Sequence, residues 1–353
     1  MKENESKISG KDDGTAAEKK PLIRKILKVF IILFIVVDVL LIGGIIYLKL
    51  PVSDYYSHSE KGFLIPDIND GFVAQGLAYD ERSDCFFITG YMNDKTVSPI
   101  YMVEKESGVC IKTLKMQNPD GSEFYGHAGG MTVHGDYVYV AGSADHCLYV
   151  FSYADATKLN DGDFIKSIGT FMMPDEMSVA FVASDTDCLY SGEFYRAENY
   201  ETEESHKMTT DAGDYNQALI FGYRFSDSDD AVFGLESEPF EAYSVTDLVQ
   251  GMELKDGRIY LSTSYGVAFS HILVYDKPVS KKTYTLAGVT MPLYELDSAS
   301  KVNDYKFAPM SEEIVFVDGK LYTMCESASN KYIFGKLTSA RWCYATDMNW
   351  EQK

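Results

Sequence analysis

Basic residues are scarce in this chain, where 32 Lys and Arg stand against 53 Asp and Glu for a formal net charge of −21 over 353 residues. A surface of that sign disfavours both nucleic acid and anionic lipid as partners of the folded part. Six cysteines are present, at 85, 110, 147, 188, 325 and 343, but none stands in a CxxC pair or at another metal-ligand spacing. Cys85 and Cys188 fall in the same register, SDCFF and TDCLY, which predicts buried free thiols, with one disulfide as the alternative. The sequence also lacks GxSxG, HExxH, P-loop, EF-hand and dinucleotide fingerprints, so no motif announces a reaction.

What is present begins with an apolar run. From Val29 to Leu48 the only charge is Asp38, and 20 residues at about 1.5 Å each cross a hydrocarbon core of about 30 Å. A cleaved signal peptide has an apolar region of about 7 to 15 residues and a small-residue cleavage site, which LLIGGIIYLKLPVSDYY does not offer. The run therefore reads as a retained membrane-spanning helix. Lys19, Lys20, Arg24, Lys25 and Lys28 precede it, while Lys49 is soon followed by Asp54. This bias places the N-terminus in the cytoplasm and the rest outside the cell membrane. Asp38 is costly in the membrane unless protonated or met by a partner helix. Residues 1–50 hold nine Lys and Arg against six Asp and Glu, which leaves −24 for residues 51–353.

A phrase repeated five times dominates the remainder: an alternating apolar strand, a tight polar turn and an aromatic-rich second strand. It reads QGLAYDERSDCFFITGYM from Gln75, GGMTVHGDYVYVAGS from Gly129, SVAFVASDTDCLYSGEF from Ser178, QGMELKDGRIYLSTSYG from Gln250 and EEIVFVDGKLYTMCES from Glu312. Starts 49 to 72 residues apart have the spacing of propeller blades. The expected fold class is all-β, a β-propeller of five four-stranded blades, six or seven being the alternatives, preceded by one transmembrane α-helix. The chain divides accordingly into a disordered cytoplasmic tail (1–25), the helix (26–50), a linker and closing strand (51–71) and the extracytoplasmic propeller (72–353). GFLIP in the linker is the candidate for the strand that closes the ring and removes exposed sheet edges.

In a propeller the first strand of each blade starts, and the second ends, on one face beside the central channel. Gln75, Ser178, Gln250 and Glu312 stand at matching offsets before the first strands, with His127 and Glu176 two residues upstream of theirs; Tyr91, Ser143, Glu193, Thr263, Ser264, Tyr265 and Glu326 end the second strands. Together they predict a polar, partly acidic mouth with aromatic walls. Gln75, Tyr91, His127, Ser178, Gln250, Ser264, Tyr265 and Glu312 are its ligand-binding candidates. Glu193, Glu326 and His127 are the candidates for proton transfer, and Glu193 and Glu326 could hold a calcium ion. The same glutamates could instead bond neighbouring backbone amides, and His127 could bond across its own loop. The polar insertion 197–217 follows a second strand and so lies on the same face, as a lid, a contact surface or a solvated excursion.

FVAQGLAYDERSDCFFITGYM and VQGMELKDGRIYLSTSYG resemble the plant and bacterial glutaminyl cyclotransferases, five-bladed propellers whose first blade carries a QGL segment followed by a strand ending in Ser-Thr-Gly. The resemblance implies five blades. Where that family places a glutamate just before Ser-Thr-Gly, this chain has Phe87. The repeat is also generically similar to quinoprotein-like and lactonase-like propellers. The expected function is a membrane-anchored module at the cell surface that binds a small polar ligand or a protein partner. The alternative is a propeller enzyme, a hydrolase or one like the glutaminyl cyclotransferases, with its site at the channel mouth.

Overall fold

A computed structural model of the chain describes residues 15–332 and 334–350. The chain divides into two compact units between Leu50 and Pro51. In the first, one helix, α1, runs over Thr15–Lys49 and is long and apolar enough to cross a membrane. It begins at Thr15 instead of residue 26, because Ala16, Ala17, Glu18 and Lys19 are strong helix formers and a helix need not stop where hydrophobicity does. Residues 1–14 of the expected disordered tail lie outside the described residues.

The second unit is a five-bladed propeller. The inner strands are Phe72–Asp80, Ala128–His134, Phe181–Ser184, Val249–Lys255 and Ser311–Val317, and each pairs antiparallel with its successor. These inner strands touch one another in ring order, the fifth returning to the first. Turn chemistry fixes the hairpins: Lys255 pairs with Arg258 across Asp256-Gly257, and Val317 with Lys320 across Asp318-Gly319, all four turn residues having positive φ. Two blades are extended. Phe164–Lys166 adds to the first in parallel, and a hairpin, Lys282–Leu286 with Val289–Glu295, widens the third to six strands.

The ring closes through the N-terminal side of the unit. Ser59–Leu64 pairs antiparallel with Trp342–Thr346 and becomes the outer strand of the fifth blade, as GFLIP led us to expect. Residues 51–71 are therefore part of the propeller body: Val52, Tyr55 and Phe63 are buried in the apolar layer joining the fourth, fifth and first blades. Similar layers separate the other blades, and Phe87 sits fully buried in the one between the first and second. All six cysteines are free thiols, five of them buried and Cys110 exposed.

Four of the five inner strands carry a register shift at the same step, between Ala74 and Gly76, Ala128 and Met131, Val249 and Gly251, and Ser311 and Ile314. Such a bulge frees one or two residues from the ladder and re-aims their side chains. In the first and fourth blades the freed residue is Gln75 or Gln250, followed by a glycine with no room for a Cβ: one on Gly251 would lie 2.7 Å from Glu313 Cα. The fifth blade has Glu312-Glu313 there. Glu313, 1 % exposed, turns its carboxylate onto the axis, where Oε2 accepts the N–H of Leu77 (2.7 Å) and of Met131 (2.8 Å). Burial pushes this carboxyl well above the usual range, against the amides of Met131, Leu77 and Val182 that favour its charge. One side chain thus ties three inner strands together across the channel.

Candidate functional site

On the face where second strands end, the channel opens into a cavity of about 420 Å³ to which all five blades contribute. The first gives Gln75 and Tyr91, the second His127 and Ser143, the third Ala180, Phe194 and Tyr200, the fourth Gln250, Ser264, Tyr265 and Gly266, and the fifth Met310, Glu326, Lys331 and Tyr332. The strand bulges deliver Gln75 and Gln250 to its floor. The loops after the second strands supply its aromatic wall: Phe194 meets Tyr200 edge to face at 5.4 Å and Tyr265 at 6.4 Å, and the Arg196 guanidinium lies 4.0 Å over Tyr265.

A hydrogen-bond chain crosses the floor. His127 Nε2 lies 2.6 Å from Gln75 Oε1, a carbonyl that can only accept, so the imidazole carries its proton on Nε2. Gln75 Nε2 in turn donates to Ala74 O (2.8 Å) and to Glu326 Oε2 (3.0 Å). Burial pushes the Glu326 carboxyl up to about 7, with the Lys331 ammonium, Gln75 and Tyr332 acting in the opposite direction. His127 is held below its ordinary value by the protein packed around its ring and then by Lys331, although the residue as a whole is exposed. Tyr91 is raised, first by burial and then by Glu326. Glu312 is 2 % exposed, and burial followed by the neighbouring Glu326 charge raises its carboxyl well above the usual range.

Gln75, Tyr91, His127, Gln250, Ser264, Tyr265 and Glu326 therefore share one cavity. Glu312 is buried and does not line the cavity, although the Glu326 charge acts on its carboxyl. Ser178 and Glu193 are elsewhere. Glu193, fully buried, accepts from His206 Nδ1 (2.9 Å), Leu219 N (3.0 Å) and Ser178 N (3.3 Å), and so fastens the insertion to the third blade. His206 belongs to the 197–217 insertion and is itself fully buried. Glu193 and Glu326 have no partner in common, and among the described residues no three His, Cys, Asp or Glu side chains form a group placed to hold a metal ion.

Sequence reasoning did not find Phe194, Tyr200, Lys331 or Tyr332. The first follows a second strand directly, and the others lie in loops that follow second strands, so the argument that located Tyr265 applies to them too. The signal for Glu313 was an acidic residue standing where the first, second and fourth repeats have glycine. A separate hollow of about 660 Å³ opens on the other side of Glu313, lined by the hairpin turns of the inner strands. There burial raises Glu253 to about 7, and its Oε2 accepts the N–H of Phe316 at 3.1 Å.

No protein-family profile and no curated protein sequence matches the chain. Among solved structures it is similar to the glutaminyl cyclase of Myxococcus xanthus, with 12% identity and a TM-score of 0.43 over 82% of this chain and 94% of that one. It is also similar to the PQQ-bound aldose sugar dehydrogenase of Streptomyces coelicolor, with 14% identity and a TM-score of 0.38 over 75% and 76% of the two chains. A streptogramin B lyase matches with 11% identity and a TM-score of 0.36 over 76% and 94%. All three are β-propellers.

Proposed function

We propose that this chain is a ligand-binding propeller held at the cell membrane by α1, with its N-terminus cytoplasmic and the propeller outside. The anchoring rests on the 20-residue apolar run, broken only by Asp38, and on the lysines and arginine that precede it. The observation that carries the binding function is the convergence of residues from five blades, from strand ends and the loops after them, on one cavity at the channel mouth. Structural need alone does not place aromatic rings around free polar groups, whereas a site for a small ligand does: apolar walls supply contact area, and a few polar atoms fix orientation. Gln250 and Ser264 are such atoms.

The test is thermal unfolding of residues 51–353 against a library of small polar ligands and short peptides. The unit has its own closed ring and its own core, so it is suited to the measurement. A ligand that binds only the folded state raises stability by about 2.7 kcal/mol at a hundredfold excess over its dissociation constant. The shift is expected to vanish in Gln250→Ala and Tyr265→Ala. A shift that both variants leave intact would move the site away from the mouth.

A second reading, an enzyme acting at the same mouth, draws on Glu326. A carboxyl raised to about 7 and joined through Gln75 to a neutral imidazole can exchange protons near neutral pH. Glu193 does not support that reading, since all its bonds go to His206 and backbone amides. Nor does the buried Phe87 supply the carboxylate of the cyclotransferase pattern.

A further inference from the structure

Lys331 follows the second strand of the fifth blade and bends back over the cavity. Its ammonium nitrogen lies 4.9 Å from the ring centroid of Tyr91 and 4.9 Å from that of Tyr332, and it donates to the Tyr91 hydroxyl. Beneath it are two carboxyls. Glu326, 7 % exposed, takes one hydrogen bond from Gln75. Glu312, 2 % exposed, is close enough for the Glu326 and Lys331 charges to act on its carboxyl. The arrangement of two aromatic faces over acidic groups is one that attracts cations, and the chain has placed a cation of its own there. The body of that lysine is exposed and its four-carbon stem is flexible, so it is easily displaced.

We propose that the mouth takes a ligand bearing a positively charged nitrogen, a primary or quaternary ammonium, seated between Tyr91 and Tyr332 above Glu326 and Glu312, and that Lys331 fills this seat when no ligand is bound. The inference rests on the mouth being the ligand site and adds the chemical class. The Lys331 ammonium favours the charged form of both carboxyls against their burial, so another cation in the same seat takes over that role, whereas an anionic ligand would oppose it. The remainder of the cavity, lined by Phe194, Tyr200, Gln250, Ser264 and Tyr265, accommodates the ligand's uncharged body. The acidic charge of the propeller draws cations toward it.

The experiment is calorimetric titration of the full chain in a polyoxyethylene detergent with tetramethylammonium, choline, cadaverine and dimethylbutanol, the uncharged carbon isostere of choline. At least one of the three amines is expected to bind, and dimethylbutanol to bind about tenfold more weakly than choline or not at all. Lys331→Ala is expected to tighten the binding about three- to tenfold by emptying the seat, and Tyr332→Ala to weaken it by a similar factor with the unfolding midpoint little changed. Dimethylbutanol binding as well as choline, with the same sensitivity to Tyr332→Ala, would overturn the ammonium class while leaving the mouth as the binding site. Absence of binding by all three amines to both the native chain and Lys331→Ala would overturn the proposal, and the ligand library would then decide separately whether the mouth binds anything. Weaker binding in Lys331→Ala would show that the lysine helps to hold the ligand and would equally overturn it.

Discussion

Two glutamates show how little residue type says without its surroundings. Glu193 and Glu326 end equivalent second strands, yet one is saturated by His206 and two amides while the other keeps its carboxyl at a cavity floor. Glu326 has a folded-state value raised from 4.5 to about 7. The stability it contributes is accordingly complete below about 4.5 and is lost as the pH rises through about 7. The unfolding midpoint of the propeller is expected to fall across that window, and Glu326→Gln to flatten the fall by about 2–4 °C. Part of the slope remains in the variant, because Glu312 is raised in the same direction. An unchanged midpoint-against-pH curve in Glu326→Gln would show that the carboxyl is not perturbed in the folded protein.

Among the elements, the inner strands were the most readable. Alternation at Leu77 and Tyr79 or Met252 and Leu254, followed by a turn containing glycine, specifies a half-buried hairpin through local chemistry alone. The same repeat put Gln75, Gln250 and Glu312 at one offset, and the common bulge explains why they come together. The insertion 197–217 was opaque for a physical reason: it is held by hydrogen bonds and ion pairs, which leave no hydrophobic period. Thr202 Oγ1 donates to Gln217 O at 2.6 Å, Asn216 Nδ2 to Ser244 Oγ at 2.9 Å, and Asp211 pairs with Lys282 at 2.8 Å. Its anchor is the buried Glu193 and His206 pair. Removing the carboxylate leaves the buried His206 Nδ1 and the Leu219 amide without their hydrogen-bond partner, so Glu193→Ala should cost about 1–3 kcal/mol. Limited trypsin digestion should then cut at Arg196 or Lys207 at least tenfold faster than in the native chain. Equal cutting rates would mean that the insertion is held by its other contacts.

For the molecule as a whole, the blade count was legible because each blade repeats a local pattern. Closure depends on pairing across the entire domain, and GFLIP hinted at it only because a ring needs a last strand. Ser59 Oγ and Thr346 Oγ1, 287 residues apart in sequence, are 2.9 Å apart in the fold. A chain beginning at residue 66 would expose the edge of Trp342–Thr346 and uncover the buried face that Phe63 fills. Size-exclusion chromatography of residues 66–353 beside 51–353 should show association, and the shorter chain should melt lower and over a broader range. A monomer with an unchanged melt would deny Ser59–Leu64 its closing role.

That closing strand also sets a clock. A ribosome adding about 5–20 residues per second needs roughly 15–60 s to make the stretch from Ser59 to its partner strand. Until then the earliest blade is complete but for the neighbour that locks it, and Ser59–Leu64 stays unpaired. Final assembly is thus a late event in the life of each new chain, and whatever shields Ser59–Leu64 during that interval determines how much of the protein reaches a closed ring.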